Sequence, residues 1–374
     1  MREDHAASRA AGGILRARAH GGSTQSLGIA CEGGASDLID FSVNVNPAGP
    51  SPRAVAAACK ALSRIDAYPD RESLALVRAL ARAQGIPEDT IVCGAGASDI
   101  IWRLAAAVRP KRIVVCAPTF SEYAEAASYY GACVQEFPLS EANDFDVPAS
   151  FARAIEGPGD VAYLCNPNNP TGTYLAEKDI LAFLDKIPPT VMVLFDEAYV
   201  EFLEPALRCD SMEIVRLHPN VMVARTFSKA YGLAGARVGY GVAQPGLLSM
   251  LNRVRHPFNV NDLSQIAALA ALQDQEFVEK TLEVNRKGIK FLSEAFDALG
   301  LPYMGLHANF ITVKVGPHAD DIVQYLLKKG IIVRRMKSYD LPEWIRVSVG
   351  TPEQNERFLE VLKEALAKFE ETSA

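Results

Sequence analysis

Five short, nearly unbroken apolar runs constrain this chain most: IVC at 91–93, RIVVC at 112–116, VAYLC at 161–165, VMVLF at 191–195 and VMVAR at 221–225. None alternates apolar with polar residues, so each reads as a strand buried on both faces. Helical periodicity fills the gaps, as over Ser98–Val108 and Glu177–Leu184. Strands that alternate with helices predict an α/β fold, a mostly parallel sheet covered by helices. After about residue 265 the pattern changes. A long helical stretch from Ser264 to Gly300 leads to ANFITVKV, a helix from about Asp320, GIIVRRM, WIRVSVG and a last helix from about Pro352. The expected organisation is an irregular arm over 1–50 that packs on the small domain, a large domain over 51–265 and a small α+β domain over 266–374.

Composition removes several function classes. With 49% hydrophobic and 22% charged residues, the 374-residue chain can bury a large core, so long disordered tracts are not expected. The formal charge of -7 argues against nucleic acid as the main partner. No apolar run approaches the roughly 18 residues of a membrane span. The N-terminal stretch MREDHAASRAAGGILRARAHGG carries four Arg but no apolar core, so it does not read as a secretory leader. Seven cysteines, odd in number and without a C-x-x-C, read as small core residues of a reducing cytoplasm. Six dispersed histidines show no metal-ligand spacing. Neither a phosphate-binding P-loop nor a dinucleotide fingerprint is present.

In open α/β sheets, ligands bind at the carboxyl ends of the strands. After IVC comes Gly94-Ala95-Gly96-Ala97-Ser98-Asp99, and after RIVVC comes Ala117-Pro118-Thr119-Phe120. VAYLC runs into Asn166-Pro167-Asn168-Asn169-Pro170-Thr171-Gly172, and VMVLF into Asp196-Glu197-Ala198-Tyr199. VMVAR is followed by Thr226, Ser228 and Lys229, with Arg237 further on. Each motif alone is weak. Asn, Pro and Gly suit any turn, Asp after a strand is a good helix cap, and a lone lysine is usually solvated. Their convergence at five strand ends is what carries information.

In this order the motifs resemble the class I/II aminotransferases, fold-type-I enzymes that use pyridoxal 5′-phosphate. The resemblance covers nearly the whole chain and implies a mostly parallel seven-stranded sheet in the large domain. Its most specific pieces are NPNNPTG (166–172), FDEAY (195–199) and TFSKAYGLAGARVGY (226–240). The third piece and IRVSVGTPEQN (345–355) are most similar to histidinol-phosphate aminotransferases. HGGS (20–23), IDFSVNVNPAGP (39–50) and RPKRIVVCAPTFSEYAEA (109–126) look more like the threonine-phosphate decarboxylases of cobalamin synthesis.

The resemblance implies a role for each matching residue. Lys229 is the Schiff-base lysine, and nearby Arg237 would help to keep its amine neutral. Asp196 pairs with the pyridinium nitrogen, so that the ring acts as an electron sink. Tyr199 and Asn169 hydrogen-bond the cofactor's 3′-oxygen, and Phe120 lies on the ring. The backbone N–H groups of Ala97 and Ser98 at a helix start, the hydroxyls of Thr226 and Ser228, and the Arg237 guanidinium hold the phosphate. Tyr68 is lent to the phosphate site of a neighbouring subunit, which implies a homodimer. Arg346 grips the substrate carboxylate and Arg334 a distal phosphate or carboxylate, while Arg335 points away into solvent. Asn44 and Asn46 line the substrate entrance, and His20 with Gly21, Gly22 and Ser23 grips a phosphate.

Two reactions fit this scaffold. A transaminase holds the substrate Cα–H perpendicular to the ring, and a decarboxylase holds the carboxylate there. The decarboxylases tend to carry T-K followed by Pro-Gly-Leu-Arg, whereas this chain has SKAYGLAGARVG, with Ala236 where Leu is common. The expected activity is therefore transamination of an anionic amine of the histidinol-phosphate type with 2-oxoglutarate or glutamate. The alternative is decarboxylation of a phospho-amino acid. A regulatory or scaffold protein without turnover fits less well, because Lys229, Asp196 and Arg237 are all present.

Overall fold

The computed structural model describes residues 38–141, 145, 147, 150–153, 155 and 157–370. His20, Gly21–Ser23 and Cys31 lie outside the described residues.

Every apolar run is a strand. The large sheet contains β2 (Ile91–Gly94), β3 (Arg112–Ala117), β4 (Cys133–Pro138), β5 (Asp160–Cys165), β6 (Met192–Asp196), β7 (Val221–Thr226) and β8 (Gly239–Ala243). The seven strands lie in the order β2-β8-β7-β6-β5-β3-β4. Six are parallel, and β8 runs antiparallel to both its neighbours, β2 and β7. Alternate side chains enter different cores. Val114, Cys116, Ala162, Leu164, Val193, Phe195 and Val223 pack into one layer. Ile113, Val115, Val161, Tyr163, Leu194, Met222 and Ala224 pack into the other. That division is why these strands lack polar alternation.

Two strands of this sheet were not expected. β4 is an edge strand of mostly half-buried and exposed residues, so CVQEFP carries no apolar run. β8 is GYGVA, a short strand with two glycines inside a motif that reads as a ligand loop. The long helical stretch is two helices, Asp262–Leu272 and Gln275–Ala298. Within the second, Val278, Thr281, Asn285, Gly288, Ile289, Leu292 and Phe296 are buried at helical spacing.

The second sheet is antiparallel, in the order β12-β13-β10-β9, with β9 at Tyr303–Met304, β10 at Phe310–Lys314, β12 at Arg334–Arg335 and β13 at Trp344–Ser348. Ile311, Val313, Ile345 and Val347 face a core shared with Leu292, Phe296 and Phe358. Thr312 and Arg346 pair in register and alternate to the other face. There the Thr312 hydroxyl donates to the Pro170 carbonyl (2.6 Å), which ties this sheet to the turn after β5. The same turn is close-packed, because a Cβ on Gly172 would lie 2.4 Å from the Gly305 Cα. Before the large sheet, β1 (Ile39–Asp40) pairs with β11 (Ile331–Ile332). The Ser348 N–H donates to the Phe41 carbonyl, so residues 39–44 run beside β13.

The reading of the cysteines as core residues needs correction. Cys93 and Cys116 are buried, but Cys59 and Cys133 are exposed and Cys165 and Cys209 are half-buried. Cys59 lies on a solvent-facing helix turn and Cys133 at the start of the edge strand β4.

Gly288 tests the packing of the long helix. Alanine is normally the better helix residue by about 1 kcal/mol. Here a Cβ would lie 2.2 Å from Cγ1 of the buried, β-branched Val349. Gly288→Ala is therefore expected to lower the urea unfolding free energy by about 1–2 kcal/mol, and adding Val349→Ala should remove the clash.

Candidate active site

A cavity of about 300 Å³ opens at the carboxyl ends of β5, β6 and β7. It brings together Asn44, Ala97, Ser98, Phe120, Asn169, Asp196, Tyr199, Thr226, Ser228, Lys229, Arg237, Arg334 and Arg346. Tyr68 is not among them. It is 83% exposed and stacks on Phe258 with centroids 4.7 Å apart. Asn46 does not line the cavity either, because its amide donates to the Ala230 carbonyl (3.0 Å) and the Thr281 hydroxyl (2.9 Å). Its place at the substrate entrance is thereby corrected. Arg335 does point away from Arg334, but it pairs with Asp320 rather than standing free in solvent.

Lys229 is half-buried, with its amine inside the cavity. Nζ lies 3.3 Å from both the Val43 and Asn44 carbonyls and 5.5 Å from the Tyr199 ring centroid. Burial and then the guanidiniums of Arg346 and Arg237 pull its pKa from 10.5 down to about 7, against the opposing pull of Asp196. Arg346 thus outweighs Arg237, the residue that the motif spacing suggests.

Asp196 ends β6 and is 3% exposed. Oδ2 accepts from the Tyr123 hydroxyl (2.7 Å) and Oδ1 from the Ala198 N–H (3.0 Å). Burial raises its pKa to about 6 despite these two hydrogen bonds. A carboxylate in this state gains from a cationic neighbour. Tyr199, also buried, receives the Asn44 side-chain amide on its hydroxyl at 3.0 Å, and burial holds its pKa well above the usual phenol value.

At the other end, the helix Ala97–Val108 begins in the cavity wall. The N–H groups of its first turn lack intrahelical acceptors and present a partial positive charge. Gly96 has φ +84°, and a Cβ there would lie 2.6 Å from Arg237 Nη2, so the guanidinium packs directly on the turn. The Thr226 hydroxyl donates to Ser228 Oγ at 3.0 Å beside it. Asp99 braces the turn from behind, accepting from the Ala95 N–H (3.1 Å) and the Asn259 amide (2.8 Å).

Arg346 reaches in from β13. Nη1 donates to Asn169 Oδ1 and Nη2 to the Ser42 carbonyl (2.7 Å), and Cζ lies 5.1 Å from the Phe310 ring centroid. Its Nε is buried with no hydrogen-bond partner. Arg334 sits 5.8 Å from the Tyr339 ring centroid at the same mouth. Two glycine-tight turns, a helix start, paired hydroxyls, an orphaned guanidinium N–H and a buried carboxylate form a cradle for a molecule with several anionic groups and one cationic group. Among the described residues, no group of three or more His, Cys, Asp or Glu is placed to hold a metal ion.

Sequence reading missed Tyr123, Tyr339 and the carbonyls of Ser42, Val43 and Asn44. Tyr123 had a signal, three residues beyond Phe120 on a helix face. The carbonyls had none, because a main-chain acceptor leaves no mark in residue identity.

The fold and the cavity define a large-sheet enzyme of the aminotransferase type. The class I and II aminotransferase description matches residues 36–362, and the chain belongs to that family. It is 45% identical over 342 residues to "Histidinol-phosphate aminotransferase 2" of Ralstonia nicotianae, covering 90% of this chain and 91% of that relative. The structure of histidinol-phosphate aminotransferase from Sinorhizobium meliloti in complex with pyridoxal-5′-phosphate matches with a TM-score of 0.83 at 26% identity, over 88% of this chain and 91% of that one. L-threonine-O-3-phosphate decarboxylase from Porphyromonas gingivalis shares the fold, with a TM-score of 0.76 at 24% identity, over 88% of this chain and 100% of that one.

The Lys229 environment is directly measurable. In competitive acetylation of cofactor-free protein, read by peptide mass spectrometry, Lys229 is expected to titrate near 7 rather than at an ordinary lysine value of about 10.4. Arg346→Met removes a like charge and is expected to raise that midpoint.

Proposed function

We propose that this chain transaminates a phosphorylated amine of the histidinol-phosphate type, with the 2-oxoglutarate/glutamate pair as amino partner and pyridoxal 5′-phosphate as cofactor. One observation carries the reading: the Lys229 amine shares a cavity with the Arg346 and Arg237 guanidiniums and the buried carboxylate of Asp196, surroundings that lower its pKa to about 7. When bound, the cofactor supplies an electron sink for negative charge at the substrate Cα. The donor set suits it. The helix start at Ala97 and Ser98, with Thr226, Ser228 and Arg237, binds its phosphate. Asp196 holds the proton on its ring nitrogen, Phe120 covers a ring face, and Tyr199 with Asn169 meets its phenolic oxygen.

Lys229 Nζ, about half neutral near pH 7, would take the proton from the substrate Cα and deliver it to C4′ of the cofactor, so that the amino group stays with the cofactor. Arg346, with its unpartnered Nε, receives the carboxylate of the amino partner, and Arg334 the distal phosphate or carboxylate. Names of relatives at 45% identity support transamination over decarboxylation, since the likeness to the decarboxylase speaks to the fold alone. Leu62, Ile65, Tyr68, Leu74 and Phe258 leave an apolar stretch exposed, which supports a homodimer with Tyr68 reaching the partner's phosphate end.

Lys229→Ala is expected to abolish turnover. Release of carbon dioxide from phosphothreonine, with no need for an oxoacid, would replace this reading by the decarboxylase. Arg334→Ala should weaken kcat/KM for a phosphorylated amine by about 2 kcal/mol or more, roughly thirtyfold, and leave an uncharged amino acid nearly unaffected. Ile65→Lys should shift the protein towards monomer in sedimentation equilibrium and lower its affinity for the cofactor.

A further inference from the structure

Asn44 has more contacts at the site than a wall residue needs. It is 1% exposed and has a left-handed backbone, φ 54°, which asparagine tolerates better than most side chains. Its N–H donates to Ser348 Oγ (2.9 Å), and its Oδ1 competes with the Phe41 carbonyl for the one proton of that hydroxyl, each at 2.8 Å. Its carbonyl accepts from the Asn309 amide (3.0 Å) and from Lys229 Nζ (3.3 Å). The one remaining group, Nδ2, donates to the Tyr199 hydroxyl at 3.0 Å. Asn44 is therefore fixed by β13 on one side and touches both Tyr199 and Lys229 on the other.

The direction of that last bond matters. An amide nitrogen is a donor only, so the phenol oxygen accepts from it and the phenol proton must point elsewhere. We propose that Asn44 is a positioning residue for Tyr199: its amide occupies the acceptor side of the phenol oxygen and directs the phenol proton to the phenolic oxygen of bound pyridoxal phosphate. This rests on the reading above that Tyr199 faces that oxygen. A chain of two hydrogen bonds running the same way also strengthens each link. The charged and titratable groups facing Tyr199 and Lys229 are Arg346 from β13, Asp196 from the end of β6, Cys165 from the end of β5, and Arg237 before β8. Changes at residue 44 leave them in place.

The test is a pH titration of the visible absorbance of the protein loaded with pyridoxal phosphate. A donor at the phenolic oxygen stabilises its negative charge once the proton shared with the lysine-bound nitrogen has left, so losing that donor raises the midpoint. Tyr199→Phe is expected to raise it, and Asn44→Gly, which keeps the left-handed backbone, to raise it by about one unit. The double variant should titrate no higher than Tyr199→Phe alone, because Asn44 acts through Tyr199. Asn44→Ala removes the amide without adding a charge and is also expected to raise the midpoint. It carries the test if the glycine variant fails to fold.

A wild-type midpoint in both Asn44 variants overturns the proposal, as does a shift that adds to that of Tyr199→Phe. A lowered midpoint in Asn44→Gly also overturns it, since the phenol proton would then have pointed at Asn44. Failure of the underlying reading looks different: wild-type protein takes up no cofactor, or Tyr199→Phe leaves the midpoint unmoved.

Discussion

The structure depends on holding cations together around one carboxylate. Lys229, Arg237, Arg334 and Arg346 share a cavity in which, among the described residues, Asp196 is the one acidic side chain on the wall. Like charges in a poorly solvated space repel. Burial, and then the repulsion from Arg346 and Arg237, falls on the lysine, whose pKa drops to about 7, because arginine does not give up its proton. The same burial that lowers Lys229 raises Asp196 to about 6. Each group is thus set near neutral pH by the other features of the cavity. An anionic ligand relieves the repulsion that adds to burial in tuning the amine.

Keeping these groups in place requires support from outside the cavity. Asp196 and Glu197 are neighbours on β6 and its end, so their side chains leave on opposite faces. Glu197 turns to the far side, where it pairs with Arg225 of β7 (2.8 Å) and accepts from the Ser211 hydroxyl (3.0 Å). Arg225 continues the network to Gln84 (2.9 Å). This partly buried pair joins the ends of β6 and β7, the two strands whose following residues are Tyr199 and Lys229. Breaking one partner of such a pair leaves a charge uncompensated, which is why the network acts as a brace. From the other side, Thr312 and the close approach of Gly172 to Gly305 fix the turn that carries Asn169.

Much of this was legible in the sequence, for a physical reason. A doubly covered parallel strand cannot hide its composition, so β3, β5, β6 and β7 were visible as apolar runs, and the residues after them marked the site. Side chains that point along a known alternation were also legible: Arg346 lies opposite Ile345 and Val347, as the strand period requires. What escaped was what the period does not encode. β8 serves as an antiparallel strand although GYGVA reads as loop, and β4 is too exposed to show a pattern. Asn46 looks equivalent to Asn44 in NVNP, yet the positive φ at Asn44 sends the two amides to different partners. Tyr123 showed only an apolar helix face, and its bond to Asp196 depends on how that helix docks on the sheet.

Net charge shows the same limit of averages. The chain carries -7, a value that argues against a polyanionic partner, yet Lys229, Arg237, Arg334 and Arg346 line its cavity. The two facts are compatible because surface charges are screened within about 10 Å at ordinary ionic strength, while groups inside a cavity are not. What an anionic substrate meets is therefore decided locally. Arg346 arrives with two acceptors already engaged, Asn169 and the Ser42 carbonyl, and with Nε alone unpartnered. A guanidinium carries five N–H groups, so a carboxylate can take the free Nε together with an N–H of a neighbouring Nη that is not already given to the protein. Arg346 and Ser42 belong to the small-sheet side, whereas Asn169 belongs to the turn after β5. The one guanidinium therefore bonds to both halves of the site and still has donors left facing the cavity.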